Sequence, residues 1–208
     1  MSINFIKRLL TSLIIVPLII FLIFYNNFTF NFLIFSVFLI GFVEIIKLKE
    51  NKIKLIISFI FLIFIISIYY IKNQNHGIYY LILILLISSL SDTGGYLFGK
   101  LIGGKKIKYF SPNKTYSGFF GSLLITQFSL VYIYFLNINL FKSYFLNIIF
   151  LLFSSIIVIL GDLIFSHFKR MSNIKDFSNV FPGHGGLFDR IDGLIFLTIF
   201  FNIFIDII

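Results

Sequence analysis

The chain has 208 residues, 59% of them hydrophobic and only 12% charged, with a mean hydropathy of +1.05 and a net charge of +9. Soluble domains carry roughly half apolar and about a quarter charged residues, so the composition excludes an ordinary soluble fold and indicates an integral membrane protein. The sequence contains no cysteine, which excludes disulfides, thiolate metal sites and cysteine nucleophiles.

Apolar runs of about 17 to 25 residues, each long enough to cross a hydrocarbon core of about 30 Å as a helix, recur along the whole chain. Seven are predicted, with no room left for a separate soluble domain: Leu9 to Tyr25, Thr29 to Lys47, Ile53 to Ile71, Ile78 to Gly99, Ser117 to Leu136, Tyr144 to Phe168 and Leu187 to Ile207. The expected fold is therefore all-α and polytopic, with about seven transmembrane helices. The first run follows Lys7 and Arg8 in the manner of a signal peptide. Because the sequence has no alanine, an AxA-type cleavage site is impossible, and the run is read as a retained helix.

With seven spans the loops alternate sides, and the seventeen Lys and Arg residues sort unevenly between them. Lys7, Arg8, Lys47, Lys49, Lys52, Lys54, Lys100, Lys105, Lys106, Lys108, Lys114, Lys169, Arg170, Lys175 and Arg190 share one side, leaving Lys72 and Lys142 on the other. The positive-inside rule places the larger set, and with it the N-terminus, in the cytoplasm. The positive charge is spread over short loops, where orientation and anionic lipid account for it, so no nucleic-acid partner is expected.

Eight acidic residues occur, and those inside apolar runs require partners, because a charge at membrane depth costs about 2.5 to 3.5 kcal/mol. Glu44 lies three residues before Lys47 and reads as half of a helical ion pair. Glu50 and Asp206 read as interfacial. Asp92 and Asp162 have no basic residue within one helical turn, so their partners must come from elsewhere.

The segment "SDTGGYLFGKLIGGKKIKYFSPNKTYSG", residues 91 to 118, combines six glycines with five lysines and a compact polar turn at Ser111, Pro112, Lys114 and Thr115. A phosphate-binding loop and a lipid-surface anchor both fit it, with Lys105, Lys106 and Lys108 assigned to the anchor. In "GDLIFSHFKR", Asp162 and Ser166 are four apart and share a helix face, with Lys169 and Arg170 about a turn further on. In "FPGHGGLFDRID", Pro182 enforces a turn, and Gly183, Gly185 and Gly186 let the backbone approach a ligand. Asp189 and Asp192 follow, three apart on one helix face. Carboxylates from two helices beside a hydroxyl form an oxygen-ligand set suited to Mg²⁺ and substrate phosphates. The competing reading is structural, with Asp162 paired to Arg170 or Arg190 to lock two helices. His184 alone is ambiguous, while His76 and His167 read as interfacial.

The combined pattern resembles the phosphatidate cytidylyltransferases, the CDP-diacylglycerol synthases. Their signature is met by Ser166, Phe168, Lys169, Arg170, Lys175, Asp176, Ser178, Phe181, Pro182, His184, Gly185, Gly186, Leu187, Asp189, Arg190, Ile191 and Asp192, every constrained position over 27 residues. Gly161 and Asp162 are also similar to the family, as is "SPNKTYSG", in which Asn113 and Ser117 depart from the usual Lys and acid. The resemblance covers roughly the C-terminal 120 residues. It divides the chain into N-terminal transmembrane helices over 1–75 and a catalytic transmembrane region over 76–208, integrated in one membrane domain.

The resemblance implies transfer of the cytidylyl group of CTP to phosphatidate, giving CDP-diacylglycerol and pyrophosphate. It implies Mg²⁺, and a possible second cation, held by Asp162 and Asp189 with Asp192 and Ser166 in support. Lys169, Arg170, Lys175 and Arg190 would neutralise the triphosphate and the lipid phosphate. Gly185 and Gly186 would approach a phosphate through their backbone, His184 would donate a hydrogen bond to one, and Lys114 with Ser111 and Thr115 would form a second phosphate contact. A homodimer follows from the same resemblance, while the positive-inside sorting puts the active site at the cytoplasmic face of the cell's inner membrane. The rival readings are a CTP-dependent polyprenol or phytol kinase and, in a different class, a transporter with intramembrane aspartates. A CDP-alcohol phosphatidyltransferase lacks support because its DGxxAR core is missing after Asp192 and Gly193.

Overall fold

The computed structural model describes residues 15–106, 114–138, 140–181 and 185–207. Regular structure among these residues is helical: α1 (Ile15–Tyr25), α2 (Asn27–Lys47), α3 (Asn51–Lys72), α4 (Gly77–Leu101), α5 (Tyr116–Thr126), α6 (Ser129–Phe135), α7 (Tyr144–Met171) and α8 (Phe188–Phe204). Two isolated β-bridges, Lys106 with Thr115 and Phe181 with Gly185, are the sole extended pairings among the described residues. Five helical stretches are long and apolar enough to cross a membrane, with α5 and α6 counting as one 20-residue run, and α8 has 17 residues. The chain is thus an all-α membrane protein. Residues 9–14 of the first expected span lie outside the described residues.

The outward faces explain why hydropathy alone locates these helices. Phe28, Phe32, Phe35, Leu55, Phe59, Leu124, Phe128 and Phe145 all point outward, while Ser67, Ser91, Ser122, Thr126, Ser154, Ser155 and Thr198 are buried. Hydrocarbon outside and small polar groups inside is the arrangement a lipid solvent favours. The fifth expected span differs in one respect, because it breaks between Thr126 and Ser129. Thr126 Oγ1 donates to Ser122 O at 2.7 Å and Ser129 Oγ to Thr126 O at 2.7 Å, while the Gln127 and Phe128 amides bond carbonyls three residues back. Hydroxyls that compete for helix carbonyls bend a helix in this way.

The residues form two compact units, Met1–Ile65 with Phe168–Ile191, and Ile66–His167 with Asp192–Ile208. In the first unit the Cβ position of Gly41 on α2 lies 2.5 Å from Phe61 Cζ on α3, so the glycine admits that ring. Phe61 then meets Phe188 edge-on at 5.1 Å, and Phe188 in turn contacts Phe177 at 5.4 Å. In the second unit α4 and α5 cross almost backbone to backbone. A Cβ on Gly94 would lie 2.5 Å from Gly121 O, and one on Gly118 would lie 2.7 Å from Gly95 O. Ser122 Oγ, donating to Ser91 O at 2.7 Å, fastens the crossing. Close approach of this kind needs small residues, and with no alanine in the chain glycine and serine supply it.

Candidate functional site

Each unit carries one cluster of the residues that the sequence singles out. In the second unit, α4, the start of α5 and α7 enclose a cavity of about 440 Å³, whose polar lining includes Asp92, Tyr96, Lys100, Lys114, Thr115 and Asp162. Lys114 Nζ forms an ion pair with Asp162 Oδ2, both side chains about one-third exposed. Ser166, one turn along α7, places its Oγ 3.5 Å from Asp162 Oδ1.

Asp192 comes to the same place from α8. Gly161 and Gly193 allow this, since a Cβ on Gly161 would lie 2.9 Å from Asp192 O and one on Gly193 would lie 2.8 Å from Val158 Cγ1. The Asp192 carboxyl accepts from Gly193 N at 2.9 Å, lies within hydrogen-bonding reach of Asp162 and feels the negative charge of Asp92. Three carboxyls from three helices therefore share one environment with the Lys114 ammonium. Neighbouring like charges repel by about 4 kcal/mol at 4 Å in partly screened surroundings, so such a group attracts additional positive charge. No three His, Cys, Asp or Glu side chains among the described residues enclose an ion by themselves. The donor set matches the habit of Mg²⁺, which binds through one or two carboxylates and completes its shell with water and phosphate oxygens.

Thr115, expected at a phosphate contact, caps α5: its Oγ1 accepts from Gly118 N at 3.1 Å and lies 2.9 Å from Ser117 Oγ. The Ser117 hydroxyl donates to Gly103 O, which ties the start of α5 to the residues just after α4. Ser111 lies outside the described residues.

The first unit holds the second cluster. Helix α7 ends with Asn173 in the left-handed region at φ 53°, Asn173 N bonding Arg170 O at 3.1 Å and Ile174 N bonding Lys169 O at 3.0 Å. This ending satisfies the last carbonyls and turns the chain back, leaving Lys169 and Arg170 in the final turn, where the helix dipole favours cations. Lys169 Nζ meets Asp189 Oδ1 at 2.8 Å, with the two side chains only 16% and 4% exposed. The other oxygen of Asp189 accepts from Phe177 N and from Gly186 N, both at 2.9 Å. Gly185 adopts φ 85°, and its carbonyl accepts from Phe181 N at 2.9 Å. Gly186 is thus not an open phosphate cradle, because its amide is already bonded to Asp189. Arg170, Lys175 and Arg190 are exposed around this loop. His184 lies outside the described residues.

Glu44 takes a place that its sequence neighbours do not suggest. Instead of pairing with exposed Lys47, it is fully buried on α2 and accepts from Ser178 Oγ at 2.6 Å, Leu187 N at 2.7 Å and Phe188 N at 3.1 Å. Asp92, noted in the sequence as needing a partner but given no role, lines the cavity. The signal for Asp92 was its depth in an apolar helix. For Glu44 no local signal existed, because its partners lie more than 130 residues away in the chain.

Residues 49–208 match the family model described as the cytidylyltransferase family. Proteins named phosphatidate cytidylyltransferase are similar to this chain. That of Staphylococcus aureus (strain COL) is 38% identical over 139 residues, covering 65% of this chain and 52% of the relative. That of Staphylococcus haemolyticus is 37% identical over 139 residues, and that of Staphylococcus epidermidis 38% over 140, with the same coverage of each chain. The chain spans about half the length of these curated relatives. With the family model matching more than half of its residues, the signature loop included, the chain belongs to the cytidylyltransferase family.

Proposed function

We propose that this protein transfers the cytidylyl group of CTP to phosphatidate, forming CDP-diacylglycerol and pyrophosphate. The observation that carries the reading is the cavity in which Asp162 holds Lys114, with Asp192 beside it. Acidic groups suited to a divalent cation stand next to an ammonium suited to a phosphate, in a chain of the cytidylyltransferase family. One oxygen of the lipid phosphate forms the new bond to the α-phosphorus of CTP, the bond between the α- and β-phosphates breaks, and pyrophosphate leaves with its electrons. The nucleophile is already an anion, so no serine or cysteine needs activation. The residues act by positioning and neutralising.

Asp162 would hold Mg²⁺, with Asp192 and Ser166 in support. When bound, the ion neutralises phosphate charge and polarises the phosphoryl group under attack. Lys114, which neutralises Asp162, would pass to a substrate phosphate. The same exchange at Asp189 would free Lys169. Arg170, Lys175 and Arg190 supply exposed positive charge for the triphosphate and the lipid headgroup. The chain is read as a seven-span protein of the cell's inner membrane with its N-terminus and active site on the cytoplasmic side, working as a homodimer. A reaction between a lipid phosphate and an aqueous nucleotide belongs at that interface.

The test uses purified protein in detergent with phosphatidate, Mg²⁺ and CTP labelled separately at the α- and γ-phosphates. The α-label is expected in lipid and the γ-label in pyrophosphate, with no transfer when EDTA removes the metal. Label from the γ-phosphate in lipid would identify a kinase instead. No transfer of either label by a folded sample would reject both enzymes and favour the transporter.

A further inference from the structure

We propose that Glu44 is a positioning residue of the reaction, acting from α2 on the signature loop that carries Lys175, Asp189 and Arg190. The inference rests on the cytidylyltransferase reading for its kinetic consequence. Its geometry stands by itself within the first unit.

The first amides of a helix have no partner inside it, and α8 begins at Phe188. An N-cap side chain usually satisfies them locally. Here a carboxylate from a different helix does so, with Oε1 accepting from Leu187 N and Oε2 from Phe188 N. Oε1 also accepts from Ser178 Oγ, whose own oxygen accepts from Val180 N at 3.3 Å. One buried side chain thereby ties both limbs of the loop to α2. Asp189 completes the arrangement by taking the Phe177 and Gly186 amides, so two carboxylates hold four backbone N–H groups.

Gly186 fits this account. A Cβ there would lie 2.6 Å from Glu44 Oε1 and 2.8 Å from Ser178 Oγ. The glycine thus makes room for the carboxylate of Glu44. Glu44 itself precedes the 49–208 segment that the family model matches.

Glutamine is an informative replacement because it keeps the size and one acceptor oxygen. Its NH₂ must then face a backbone donor, since the site presents two N–H groups and a hydroxyl. The experiment compares full-length wild type, Glu44→Gln and the milder Ser178→Ala in detergent. It measures backbone hydrogen exchange at Leu187 and Phe188 and steady-state kinetics normalised to folded protein. In Glu44→Gln, exchange at those two amides is expected to quicken by at least about tenfold with the α4 interior unchanged, while KM for CTP rises and kcat/KM falls roughly 10- to 100-fold. Ser178→Ala should move both readouts the same way by less, and it decides the matter should Glu44→Gln not fold. Wild-type protection and kinetic constants in the variants would overturn the proposal. So would a uniform rise in exchange over all helices with KM unchanged, the mark of a merely structural role. If wild type transfers nothing, the cytidylyltransferase reading fails separately, and unaltered protection at Leu187 and Phe188 would then overturn the role of Glu44.

Discussion

Asp162 and Asp189 each hold a lysine, but their surroundings assign the two pairs different work. The Asp162 and Lys114 side chains are about one-third exposed on the wall of a cavity, where water screens their attraction, so their pair contributes about 0.2 to 1 kcal/mol. Asp189 is nearly sealed and accepts three hydrogen bonds, one of them from a lysine that is itself mostly buried. Removing its charge weakens all three bonds and strands the Lys169 ammonium, a loss of about 2 to 4 kcal/mol. Asp162→Asn is therefore expected to abolish turnover, by roughly 10²-fold or more, while its thermal unfolding in detergent stays close to wild type. Asp189→Asn should lose activity and melt at a clearly lower temperature. Paired activity assays and thermal scans check this, and a large stability loss at Asp162 would contradict the screened geometry.

Helices in this chain were legible to the extent that lipid decides them. Uninterrupted apolar runs of Phe, Ile and Leu mark α2, α3, α4 and α7 to within three residues at either end, because an unsatisfied backbone in hydrocarbon permits no other structure. The break between α5 and α6 was not legible, since it depends on which hydroxyls turn back onto the helix. The candidate site divides the same way. Its acidic and basic members stand out against an apolar background, but the exchange of partners among them, Lys114 with Asp162 and Lys169 with Asp189, is set by packing between helices. Gly94 likewise belongs to a segment that the sequence assigns to a phosphate-binding loop or a lipid anchor, whereas the structure uses it, with Gly121, for close contact between α4 and α5. Gly94→Ala would drive a methyl group into the Gly121 carbonyl, which cannot yield, and should cost about 1 to 3 kcal/mol. Gly95→Ala meets the Ser122 hydroxyl at 2.9 Å, and turning that hydroxyl aside gives up its bond to Ser91 O, about 1 kcal/mol, which the gain of about 1 kcal/mol in helix propensity offsets. Thermal unfolding in detergent should thus rank Gly95→Ala near wild type and Gly94→Ala well below it. Equal losses would mean that α4 and α5 are not in backbone contact.

For the molecule as a whole, charge sets the expected orientation, and tyrosines mark a boundary of the hydrocarbon. The loops proposed as cytoplasmic carry fifteen of the seventeen lysines and arginines. At the other ends of the second unit's helices tyrosines gather instead. Tyr70 donates to Asp206 at 2.7 Å, Tyr132 donates to the Tyr79 carbonyl at 3.1 Å, and Tyr134 stacks on Tyr144 at 5.5 Å. Tyrosine favours the headgroup layer, where its ring stays apolar and its hydroxyl finds polar partners, so this band marks one boundary of the hydrocarbon. The absence of cysteine from the sequence makes the orientation directly measurable, because any introduced thiol is the sole target for labelling. Asn75 and Asn179 are both exposed, the first in the turn between α3 and α4 and the second in the loop before α8. In intact cells a membrane-impermeant maleimide should label Asn75→Cys and spare Asn179→Cys, and inverted membrane vesicles should reverse the pattern. Labelling of both positions from one side would place an even number of crossings between them. That result would remove the alternation on which the cytoplasmic assignment of the signature loop rests.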